Sequence, residues 1–270
     1  MKNGRTDMAS ELIDGIGEDL TRENGLIVKK SEIGCCSLLT VEVTNERGAA
    51  LLGKNIGKYY TLTLPASLPS LWRDCIEPLT DCVKALLPTR RGCVLVAALG
   101  NPNITPDALG PLAAESILVT RHLKHGNPLF SSFGNVALCR PGVLGTGGIE
   151  SAAHIRALVS LIHPSLVIAV DALACRELDG LCRSVQISST GIAPGSGVGN
   201  DRQQLDEASL GVPVISIGVP TVADLSPSSS LLVTPRDIDV QVRTAAKLIA
   251  YAINFTLHPV LSTEQLEALL

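Results

Sequence analysis

Three aspartates each follow an apolar, strand-like run. Asp107 lies eight residues beyond Leu99, Asp171 directly follows Val170, and Asp224 stands six residues after Gly218. In open parallel sheets, ligands bind in the crevice outside the carboxyl ends of the strands, so acids placed this way share one rim although far apart in the chain. Two carboxylates within a few ångströms cannot both ionise readily. One keeps its proton near neutrality, and the pair then offers a general acid beside a general base. Water attack on an amide needs both. Asp107 also follows Thr105 and Pro106, a setting that suits a helix cap. Asp171, closing a fully apolar run, must find polar partners of its own.

Other chemistry is less well supported. The run Gly195–Gly199 reads G-x-G-x-G, with Asn200 where a dinucleotide loop has its third glycine, and it starts seven residues past Ser188 rather than at a strand end. We read it as a loop that shapes a substrate site, with Gly195, Ser196, Gly197 and Asn200 as contacts whose backbone N–H groups suit an oxyanion. No G-x-S-x-G elbow occurs. No histidine stands in a strand-end loop beside an acid, and the eight cysteines avoid CxxC spacing. Cys93 and Cys139 lie in apolar runs, as small hydrophobes do. Reduced structural thiols, no metal and no cofactor are the expectation.

The elements that must position these residues follow from periodicity. Strands are expected at Ile33–Val43, Tyr59–Leu64, Cys93–Leu99, Asn135–Cys139, Leu166–Val170, Val185–Ser188 and Val212–Gly218. Helices are expected over Asp74–Leu87, Pro111–His122, Ile149–Ile162, Arg202–Leu210 and from Thr234 to about Leu257, with Asn45–Gly48 a turn. Apolar strands alternating with helices give an α/β fold with a mostly parallel or mixed central sheet covered on both faces. Residues 1–30 are charged and aperiodic and read as a loosely held N-terminal arm, followed by a single domain over 31–270.

Composition narrows the function classes. The 270 residues carry a net charge of −4, with 46% hydrophobic and 3% aromatic side chains. Such a chain buries enough apolar surface to fold, and it lacks the basic stripe and stacking rings of direct nucleic-acid binding. The longest uncharged apolar stretch, Ala208–Ala223, is too short for a membrane span and is broken by Pro213 and Pro220. No signal-like apolar run opens the chain, so an intracellular location is expected.

Six ordered blocks add a resemblance: NPNITPDALGP, PGVLGTGGIE, VIAVDALA, QISSTGIAPGSGVGN, LGVPVISIGVPTVAD and VTPRDID. From about Gly92 to Leu257 the chain resembles the germination proteases of endospore-forming bacteria, and RTDMASE near its start looks like their processing segment. The resemblance implies a three-layer α/β fold similar to the hydrogenase-maturation peptidases and a tetrameric assembly. It further implies an atypical aspartic endopeptidase that degrades small acid-soluble spore proteins in the spore core during germination. Its two aspartates carry over to Asp107 and Asp171. It also implies a zymogen that cuts itself at a pattern of acid, bulky apolar residue, Ala, variable residue and Glu. Asp7-Met8-Ala9-Ser10-Glu11 fits, so the cut is expected between Asp7 and Met8, releasing residues 1–7 as a propeptide. An acid before the cut bond suggests a cationic pocket, with Arg140 and Arg202 as candidates. Three departures stand out: Leu225–Leu232 replaces a long insert, Ala193 stands where the family often has His, and Gly145-Thr146-Gly147-Gly148 replaces GQTG. A non-catalytic peptide-binding relative and a metal-using maturation-type peptidase are the alternatives.

Overall fold

A computed structural model describes residues 5–14, 16, 23–66, 68–89, 92–123, 130–195, 203–224 and 231–270. A short helix α1 (Ala9–Ile13) precedes a meander of β1 (Leu26–Ile33), β2 (Cys36–Val43) and β3 (Gly57–Thr63), with α2 (Glu46–Leu52) between the last two. Then follow α3 (Ile76–Lys84), β4 (Cys93–Ala98), α4 (Leu109–Ala113), β5 (Asn135–Cys139) and α5 (Ser151–Ile162). The chain continues through β6 (Leu166–Cys175), β7 (Ser184–Ser188), β8 (Val214–Asp224), β9 (Leu232–Val233), α6 (Ile238–Leu257) and α7 (Thr263–Leu269).

The strands form one mixed sheet in the order β1-β2-β3-β7-β8-β6-β4-β5, with β9 paired to the end of β8. Strands β5, β4, β6 and β8 run parallel, whereas β7, β3, β2 and β1 pair antiparallel. Pleat alternation sorts their side chains. Val94, Val96, Ile168, Val170, Ile215 and Ile217 pack under α3, α4 and α6 in the main core. Leu95, Ala97, Val167, Ala169 and Val214 face the other way, towards α5. Helices on both faces make the expected three-layer α/β sandwich. Among the described residues no helix is long and apolar enough to cross a membrane.

Several elements differ from the sequence reading. Asn45–Gly48 opens α2 rather than a turn: Asn45 Oδ1 accepts from Gly48 N–H, so this turn-prone residue serves as a helix cap. The expected helix over Pro111–His122 shortens to α4 flanked by 3₁₀ turns, and that over Arg202–Leu210 to Glu207–Leu210. Segment 5–14 is not loosely held, because Met8, Ala9 and Ile13 are buried. Strand β6 does not stop before Asp171 but continues to Cys175. Its neighbour β4 pairs with it only as far as Val170, so Asp171 is the first residue beyond the end of β4.

Candidate active site

The end of β4 and the middle of β6 create the crevice. Beyond Leu99 the chain turns sharply at Gly100, whose φ of +109° favours glycine and whose missing Cβ would run into the Asp107 carbonyl. The turn folds back: Asn101 N–H donates to both the carbonyl oxygen and Oδ2 of Asp107, each at 3.0 Å. From β8, Thr221 Oγ1 donates to the Pro106 carbonyl over 2.6 Å and pins the 3₁₀ turn that carries Asp107. Asp171 is only 5% exposed, and its Oδ1 accepts from Ala172 N–H at 2.9 Å. Both aspartates line one cavity of about 420 Å³, together with Asp7, Leu173, Ala174, Gly195 and Thr221.

The N-terminal segment lies across this crevice, and Asp7, Met8, Ala9 and Glu11 each make contacts of their own. Asp7 N–H donates to the Ala174 carbonyl, and Ala174 N–H donates to the Asp7 carboxylate, both at 2.9 Å. Met8 is 2% exposed and packs on Leu173, Cys175, Leu181 and Ala223. Ala9 is fully buried against the Ile13, Val41 and Tyr59 cluster, which fits a methyl side chain, while Ser10 is half-exposed. The Glu11 carboxylate accepts from the N–H groups of Arg176 (2.8 and 3.0 Å) and Glu177 (2.9 Å). An acid, an apolar side chain, a small one, a tolerant position and a second acid are what these contacts would select.

Two side chains reach the peptide between Asp7 and Met8 from the opposite side. Lys54 Nζ donates to the Asp7 carbonyl oxygen over 3.0 Å, and Gln186 Nε2 donates to the same oxygen over 2.7 Å. Desolvation lowers the Lys54 ammonium below the usual lysine range, and the Asp7 charge partly offsets this. Sequence reasoning passed over both residues. A signal existed, since Ser184, Gln186 and Ser188 alternate with apolar residues along β7 and Ser216 continues the polar face on β8.

The remaining candidates scatter. Asp224 is buried at the end of β8, outside the cavity lining, and its Oδ2 accepts from Arg5 N–H at 3.5 Å. Arg140 is exposed beyond β5 and also stands outside that lining. Gly195 reaches the cavity, whereas Ser196, Gly197, Asn200 and Arg202 lie outside the described residues, as do residues 1–4 and most of the Ser-rich loop. Far from the crevice, the thiols of Cys35, Cys36 and Cys75 come together, 3.6 to 3.8 Å from Cys35 to the other two.

Comparison with known proteins agrees with this architecture. The family model described as germination protease matches residues 6–230. The germination protease of Clostridium perfringens is 34% identical over 326 aligned positions that take in the whole of both chains. That of Caldanaerobacter subterraneus subsp. tengcongensis is 36% identical, covering 96% of this chain and 99% of its own. The Geobacillus relative is 41% identical over 83% of this chain and 64% of its own. The alignment with the clostridial protein is longer than the 270 residues here, so the relative carries insertions that this chain lacks. A peptidase family, a spore-germination role and a crevice that holds a peptide bond converge, and the chain belongs to the germination protease family.

Proposed function

We propose that this endopeptidase is made as a zymogen that cuts its own Asp7–Met8 bond and then degrades small acid-soluble spore proteins in the spore core. Asp107 and Asp171 act as a pair. Asp171, the more buried, holds the shared proton, and the more accessible Asp107 is ionised and deprotonates the attacking water. The observation that carries this reading is that Asp7 lines the same cavity as both acids. The reaction needs a water within reach of the Asp7 carbonyl carbon, a base to take its proton and an acid for the departing Met8 nitrogen. Gly195 at the rim belongs to the loop whose N–H groups would flank substrate, with Ser196, Gly197 and Asn200 further along it. Arg140 and Arg202 remain proposed contacts for the substrate acid, and a homotetramer is the proposed assembly.

The test is mass spectrometry of the purified chain alongside Asp107→Asn and Asp171→Asn. The expected result is loss of residues 1–7 from the wild type only, with both variants inert towards a small acid-soluble spore protein. Full activity in either variant removes the pair.

A further inference from the structure

We infer that Lys54 and Gln186 form the oxyanion-binding site for the Asp7–Met8 bond, stabilising the charge that develops on the Asp7 carbonyl oxygen as water adds. This rests on the self-cleavage proposed above and names residues for the step that the two aspartates do not cover.

Three observations lead there. The first is distance. Gln186 Nε2 and Lys54 Nζ already donate to the ground-state Asp7 carbonyl oxygen at 2.7 and 3.0 Å, within reach of the place where the oxyanion forms. The second is orientation. The Gln186 amide is fixed at both ends, because its Oε1 accepts from Ala9 N–H while its NH₂ faces the Asp7 carbonyl. One side chain thus clasps the chain on either side of the bond to be cut, and a flipped amide would break both contacts. The third is register. Asp171 pairs with Gly218 across β6 and β8, and Gln186 pairs with the same Gly218 across β7 and β8. Laterally paired residues project to one face of a sheet, so Asp171 and Gln186 flank a gap about 10 Å wide, two strand spacings. Glycine there makes room for the Leu173 side chain; a Cβ at 218 would meet Leu173 Cγ at 2.6 Å and the Asp171 carbonyl oxygen at 2.8 Å.

Asp7 and Leu173 both line two cavities. Asp107 and Asp171 line one, and Lys54, Gln186 and Gly218 line the other, of about 280 Å³. Acids work on one side and cationic and amide donors on the other. Asp107 takes one proton from water as the water oxygen bonds to the Asp7 carbonyl carbon, and the carbonyl electron pair moves onto oxygen, where Lys54 and Gln186 hold it. Collapse of this adduct breaks the C–N bond, and Asp171 gives its proton to the Met8 nitrogen. The dyad ends with its proton transferred from Asp171 to Asp107, and the new Asp7 carboxyl group releases its own proton to solvent. Because the donors carry the oxyanion, the proton on Asp171 is reserved for the leaving group.

The experiment follows self-cleavage of the full chain as a first-order rate in wild type, Lys54→Met, Gln186→Glu and Asp107→Asn. Lys54→Met keeps the aliphatic stem and removes the donor, whereas Gln186→Glu keeps an acceptor for Ala9 N–H and sets a carboxylate where the donor stood, so it opposes the developing charge. Hydrogen exchange at the Arg176 and Glu177 amides, which Glu11 protects, reports whether the arm stays seated. We expect both donor variants to slow self-cleavage by about 10²–10³-fold with that protection intact. Cleavage within about threefold of wild type, or slowing only where the protection is also lost, overturns the site; if one variant fails to fold, the other decides. Should wild type cut and Asp107→Asn not, while both donor variants cut at full rate, the donor pair alone fails. Should wild type never cut this bond, the processing reading fails and takes the pair with it.

Discussion

Asp7 and Ala174 exchange a pair of hydrogen bonds in which a side chain replaces the backbone. Asp7 N–H reaches the Ala174 carbonyl, and Ala174 N–H reaches not the Asp7 carbonyl but its carboxylate, each at 2.9 Å. The main-chain oxygen of Asp7 takes no part in this exchange. The substitution frees that oxygen for Lys54 and Gln186. An acid at position 7 thus does more than occupy a pocket, since it leaves its carbonyl to Lys54 and Gln186, at the bond for which cleavage is proposed.

It follows that Asp7→Leu leaves Ala174 N–H without its acceptor and lets the main-chain carbonyl swing back to it. Self-cleavage is expected to fall by at least tenfold, corresponding to about 1.5–3 kcal/mol for a lost hydrogen bond to a charged group. Asp7→Glu, which keeps the carboxylate on a longer stem, should retain more activity than Asp7→Leu. A time course of intact mass ranks the three chains.

The arm crosses the crevice of its own chain, so the first cut should be intramolecular. The rate constant should stay the same when protein concentration is varied a hundredfold. A mixture of Asp107→Asn with wild type should leave the Asp107→Asn chains uncut while the wild-type arms are lost. Processing of the inactive chain at the wild-type rate would show that the seat on its own chain is not the one from which the bond is cut.

Glu11 holds the far side of the segment through the N–H groups of Arg176 and Glu177. Glu11→Ala removes an ionised acceptor from all of them. We expect self-cleavage to slow by roughly ten- to a hundredfold, with faster hydrogen exchange at both amides. The same replacement in a separate peptide substrate should raise KM more than it lowers kcat, because the contact lies four residues past the cut.

The thiol cluster gives a prediction in pH. A hydrogen bond from Cys75 brings the Cys36 thiol down to about 7, while that same bond to Cys36, followed by burial, pushes the Cys75 thiol up. Because Cys36 is lowered, its thiolate accumulates as pH rises through 7. Ultraviolet thiolate absorbance should therefore show a step of one thiol near that pH in the folded protein. Cys36→Ser should abolish the step, and Cys75→Ala, which removes the donor, should move it upward. Cys82, Cys139, Cys175 and Cys182, each pushed up to about 12 chiefly by burial, should stay silent until the protein unfolds.

Much of this was legible in order and type. Cys93–Ala98 and Asn135–Cys139 are strands because a short apolar run with β-branched residues has few other uses in a layered α/β domain. The length of β6 was not legible, because continuation past Asp171 depends on β8 alone supplying the ladder, and β8 lies about forty residues further on. Nor was the role of Asn45, since a residue that hydrogen-bonds its own backbone suits a turn and a helix cap equally well.

The sequence by itself determined a strand-and-helix alternation, the acids Asp107 and Asp171 following apolar strand-like runs, and an Asp-Met-Ala-Ser-Glu segment matching a processing pattern. Tertiary structure decided that this segment lies on the sheet beside those acids, and that Lys54 and Gln186 meet at its Asp7 carbonyl. The reason is physical. Local side-chain patterns fix which face of a strand is apolar, but strand order brings β7, β8 and β6 together. That order is set by long crossovers, whose outcome depends on packing of the whole core.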